Sequence, residues 1–126
     1  MDKELHLKMT VRLYTDDNQR CFGPGIATLL ERVRAHKSLR SAAASMGMAY
    51  SKAMKLIRRA ESVLGFPLTI RTTGGASGGG SRLTPEGKEW ITRYEAYRNA
   101  CVEANSRLYS QFFPEQRETA SAADRE

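Results

Sequence analysis

Residues 50–59, YSKAMKLIRR, carry four positive charges and no carboxylate; the first acid after them is Glu61. On a helix that turns Ala53, Ile57 and Ala60 to a core, Ser51, Lys52, Lys55, Arg58, Arg59 and Ser62 all face outward. Such a face neutralises phosphates, and Tyr50, Ser51 and Lys55 at its start have the groups that bond base edges. This is the chemistry of polyanion recognition rather than of bond making. The two histidines, His6 and His36, belong to no metalloprotease motif, Ser-His-Asp order or paired-carboxylate context, so no catalytic residue is expected. Cys21 and Cys101 lie far apart without a CxxC, which suggests neither a disulfide framework nor a zinc site. No metal or other cofactor is expected.

A solvated basic face has the same composition, so the elements that hold this one decide its meaning. Upstream, Ser38 suits the N-cap of a short helix with the stripe Leu39, Ala42, Ala43 and Met46. Gly47 then supplies the left-handed conformation that a sharp turn needs. Small Ala43 stands where the two helices cross. Residues 39–58 therefore read as a helix-turn-helix, with residues 50–63 as its second helix. Arg40 and Ser41, at the start of the first, are counted among the DNA-binding residues. Before this pair, Gly23-Pro24-Gly25 opens a helix with the stripe Ile26, Leu29, Leu30 and Val33.

Leu5, Leu7, Met9, Val11 and Leu13 alternate with polar residues, which predicts a half-buried N-terminal strand of about ten residues. Residues 68–73 predict a strand and residues 81–83 a short return strand, around a glycine-rich run at 74–80. The run matches a phosphate-binding Walker loop only in the spacing of Gly75 and Gly80. Ser81-Arg82 stand where Lys-Ser/Thr is required, and a strand follows instead of a helix. It reads better as the tip of a hairpin wing, with Arg71, Thr72, Thr73 and Arg82 as backbone or minor-groove contacts.

Thr84 caps a long helix that begins at Pro85 and runs to Phe113, before Pro114. Trp90, Tyr94, Tyr97, Cys101, Ala104 and Leu108 recur along it at spacings of four and three, with Phe112 beyond. That is the seam of a two-stranded packing, and it predicts a homodimer. Covering the chain's own core is the alternative, and Trp90 and Ile91 suit it. The fold class expected is mainly α with a small antiparallel β component: a winged helix-turn-helix (residues 1–83), with a long dimerisation helix (84–114) and a disordered tail (115–126).

The 126 residues bear a net charge of +6. The last twelve hold four acids and two bases, leaving residues 1–114 at +8. A basic body favours nucleic acid or an acidic membrane as partner, and with the helix-turn-helix the partner expected is double-stranded DNA. No apolar run is long enough for a membrane span, so no membrane partner and a cytoplasmic location are expected.

Two family resemblances rest on these residues. Residues 38–47, Ile57-Arg58-Arg59-Ala60-Glu61 and Leu64-Gly65-Phe66-Pro67-Leu68 with Arg71 resemble the DNA-binding domain of LysR-type regulators, which usually have leucine where Ala60 stands. The N-terminal domain of the molybdenum-responsive regulator ModE is more similar still. It shares the opening strand, Ala49-Tyr50-Ser51-Lys52-Ala53, and the wing from Arg71-Thr72-Thr73-Gly74-Gly75 to Leu83-Thr84-Pro85-Glu86-Gly87. The resemblance implies a dimeric winged-helix regulator that contacts DNA through residues 50–55 and the wing. Long ModE proteins continue into molybdate-binding domains, and no such sensor or other effector site is visible here. Two other functions compete: an adaptor that uses the long helix to bind a partner, and a small oxyanion-binding protein whose glycine loop cradles the anion.

Overall fold

The computed structural model describes residues 3–73 and 80–115, and among these described residues are four helices and two small antiparallel hairpins. The described residues fall into two compact units, one within residues 12–91 and the other within residues 3–11 and 92–115.

In the first unit, α1 (Pro24–His36) turns Ile26, Leu29, Leu30 and Val33 inward, as its period of three and four dictates. α2 (Leu39–Ser45) packs Leu39, Ala42 and Ala43 against it, and α3 (Tyr50–Leu64) adds Ala53, Ile57 and Ala60. Alanines at the helix crossings let the backbones approach closely. Ser38 caps α2, its hydroxyl accepting from the Ser41 amide at 3.0 Å. Gly47 in the turn has φ +67°, where a side chain would be strained. The Arg32 guanidinium donates to the Ser45 carbonyl at 2.9 Å and so fastens α1 to the end of α2.

β3 (Thr69–Thr72) and β4 (Gly80–Leu83) pair antiparallel in the register Thr69↔Leu83, Ile70↔Arg82, Arg71↔Ser81 and Thr72↔Gly80. This is the expected hairpin; the run at 74–79 lies outside the described residues. α4 (Pro85–Phe112) starts under a Thr84 cap. The Thr84 hydroxyl accepts from the Gly87 amide at 2.9 Å and donates to the Pro67 carbonyl at 2.6 Å. A Cβ on Gly87 would stand 2.5 Å from the Leu68 carbonyl oxygen, so this first turn must be bare to reach the strand. Trp90 meets Phe22 edge-on at 5.6 Å and lies 6.4 Å from Phe66.

The N-terminal strand is much shorter than its alternation suggests. Only β1 (Leu13–Tyr14) pairs with β2 (Arg20–Phe22), across a turn in which Asn18 has φ +69°. The alternation upstream has another cause, seen in the second unit. Leu7, Met9 and Val11 are half-buried while Lys8 and Thr10 are exposed. The Val11 carbonyl accepts from the Tyr94 hydroxyl at 2.6 Å, and Asn105 Nδ2 lies 3.1 Å from Met9 Sδ. An extended segment laid along a helix buries every second side chain just as a sheet strand does, but it has no ladder partner.

Candidate nucleic-acid interface

Helix α3 presents the face its sequence predicts. Ser51, Lys52, Lys55, Arg58, Arg59 and Ser62 are all exposed, while Ala53 and Ala60 are fully covered and Ile57 nearly so. The acid that follows, Glu61, braces the wing. Glu61 turns back to accept the Leu68 amide at 2.8 Å, which ties the end of α3 to the start of the wing. Glu61 is half-buried and lines a pocket with Tyr50, Arg58 and Arg71, while the exposed residues from Ser51 to Arg59 include no acid.

Arg40, Ser41, Tyr50, Arg71, Thr72 and Thr73 line one groove of about 610 Å³ between α2, the start of α3 and the wing. The Arg40 guanidinium lies 4.3 Å from the centre of the Tyr50 ring, a cation–π contact that orders both side chains at the groove's edge. His36 and Lys37 also line it, although sequence reasoning singled out neither. They enter because Lys37 adopts a left-handed conformation, φ +59°, and its carbonyl accepts the Ser81 amide at 3.0 Å. Gly80 sits against the same carbonyl, where a Cβ would come within 2.3 Å. The wing is thus bolted to the end of α1. Arg82 is exposed on the opposite face of the hairpin from Arg71, as their adjacent register positions require.

The long helix divides its aromatic residues between two tasks. Trp90 is half-buried in the first unit. Tyr94 is 4% exposed in the second, with its hydroxyl bonded to Val11, so both pack within their own chain. Arg98 is 1% exposed, paired with Glu95 and stacked near Tyr94. Tyr97, Leu108 and Phe112 are 58%, 50% and 75% exposed, and half-buried Cys101 lies between the first two. The neighbouring Cys101 side chain holds the Tyr97 phenol above its usual pKa. The outward stripe therefore starts at Tyr97 rather than Trp90.

Among the described residues, no group of three or more His, Cys, Asp or Glu side chains could hold a metal ion. No helix among them is long and apolar enough to cross a membrane. A comparison with curated proteins gives no match. Residues 27–88, from α1 through the wing to the first turn of α4, match the family model described as "Bacterial regulatory helix-turn-helix protein, lysR family". Fold, exposed basic face and family match agree: residues 27–88 are a LysR-like winged helix-turn-helix domain of a DNA-binding transcriptional regulator.

Proposed function

We propose that the protein is a homodimeric regulator that reads a two-part operator, with the start of α3 in the major groove and the wing in the adjacent minor groove. The observation that carries this reading is the acid-free exposed face of Ser51, Lys52, Lys55, Arg58 and Arg59 beside a wing bearing Arg71 and Arg82. Tyr50, Ser51 and Lys55 meet base edges. Lys52, Arg58, Arg59, Arg40, Ser41, Thr72 and Thr73 hold backbone phosphates. An adaptor has no need of such a face. Exposed Tyr97, Leu108 and Phe112, with Cys101 among them, supply a seam on which a second α4 packs. A single recognition helix covers few base pairs, and pairing two gives the specificity a regulator requires.

The resemblance to ModE points to genes of molybdate or other oxyanion metabolism as targets, with regulation in the cytoplasm. Selection of duplexes from a random pool tests the reading. The expected product is an inverted repeat with half-sites about one helical turn apart, or a multiple of it. Failure to enrich any sequence would overturn it. Repeating the selection with micromolar molybdate or tungstate tests the oxyanion link, which predicts a change in the affinity for the enriched duplex.

A further inference from the structure

The wing has a second basic groove behind it. A pocket of about 310 Å³ opens on the side away from α3, walled by Arg34 of α1, Lys37, Arg82 of β4 and Lys88 of α4 over a floor of Val33 and Leu83. Four cations from four places in the sequence converge there, and no acid lines it. Among the described residues none of the four makes an ion pair. A pocket lined by several cations and no acid has a positive potential that attracts an anion. Nothing in the packing of the fold requires their convergence, because all four are exposed.

Lys37, Thr72 and Ser81 line this pocket and also the groove that holds Arg40 and Arg71. The wing is therefore a ridge with a basic groove on each side. Arg71 and Arg82 face one groove each, because adjacent register positions alternate between the faces of a hairpin. Duplex DNA has a matching order. Moving along it from a recognition helix in the major groove, one meets a phosphate backbone, a minor groove about 6 Å wide, and then the backbone of the other strand.

We propose that the wing straddles the minor groove with one strand's phosphates in each basic groove, and that Arg34, Arg82 and Lys88 hold the outer strand. The inference rests on the DNA-binding reading and extends it. It makes the ends of α1 and α4 part of the interface and lengthens each half-site outward past the wing. The ligand of the pocket is a phosphate oxyanion, and the duplex backbone is its source.

Ethylation interference on a duplex selected by the wild-type protein tests this phosphate by phosphate. Two clusters are expected, on opposite strands across the minor groove. The double variant Arg34→Ala with Lys88→Ala should lose the outer cluster only and lower the slope of log affinity against log salt by about two per subunit. Lys55→Ala with Arg58→Ala should weaken binding and keep the outer cluster. A wild-type complex without an outer cluster, or one that Arg34→Ala with Lys88→Ala leaves intact, would overturn the proposal while the DNA-binding reading stands. Equally, inorganic phosphate bound by the wild type and lost in that double variant, with an unchanged interference pattern, would assign the pocket to a free anion and overturn it. If the wild-type protein selects no duplex, the DNA-binding reading fails and this proposal fails with it.

Discussion

Lys55 and Arg59 are four apart on one exposed face, yet they belong to different parts of recognition. Lys55 lies in the second turn of α3, close enough to the helix start to reach a base, whereas Arg59 lies further along, where the backbone passes. Lys55→Ala should cost about 1–3 kcal/mol on the enriched duplex and much less on random DNA, if its ammonium bonds a guanine. Arg59→Ala should weaken both duplexes alike. Anisotropy titrations of the two variants on the two duplexes check the split, and equal losses throughout would remove base reading from Lys55. Tyr50 allows a further test. Replacing it with Ala removes the platform under Arg40, and replacing it with Phe keeps the ring; binding should fall for Ala by about 0.5–1 kcal/mol more than for Phe.

Between elements, the wing is held at its far end by close backbone approach to Lys37 and at its start by the Glu61 carboxylate. Gly80→Ala should push β4 away from the Lys37 carbonyl, because a backbone oxygen at 2.3 Å cannot yield to a methyl group. The expected outcome is a stable α1–α3 core whose DNA affinity drops as both wing arginines move. Thermal unfolding beside a binding titration separates these effects, and unchanged affinity would show that the wing does not contact DNA. At the start of α4, Thr84→Val removes an acceptor for the Gly87 amide and a donor to Pro67, and should lower stability by about 0.5–2 kcal/mol.

Most of this layer was readable in the sequence. Residues 50–64 combine helical period, an upstream Gly47 turn and charge segregation, so local signals agree with the final packing. What escaped depends on groups distant in sequence. The alternation of residues 5–13 is real, but period two reports one-sided burial and does not say whether a sheet or a helix does the burying. His36 and Lys37 gave no sign, since it is the bond from Ser81 to the Lys37 carbonyl that turns the end of α1 into the wall of a groove. Glu61 looked like the end of the basic face; its bond to the Leu68 amide made it a brace. Tyr94 fits the heptad spacing as well as Tyr97 does, and only the N-terminal segment, which covers it, distinguishes the two.

At the scale of the whole molecule, the chain carries a basic DNA-binding face in one unit and an exposed apolar stripe on α4 in the other. Changing Tyr97 and Leu108 together to Glu places like charges across any pairing of two α4 helices, at positions 58% and 50% exposed, where the chain's own packing is little disturbed. Sedimentation should show monomers with unchanged helical signal and weakened binding to the inverted repeat. A wild-type chain that sediments as a monomer at micromolar concentration and binds one half-site with full affinity would contradict the dimer. The central claim, that this chain holds the phosphates of duplex DNA with the basic face of α3 and the wing, is tested most directly by wild-type affinity as a function of salt. With about five phosphate contacts per subunit, a dimer should release on the order of ten ions, so affinity should fall by several powers of ten between low and physiological salt. An affinity that stays flat over that range would contradict the account.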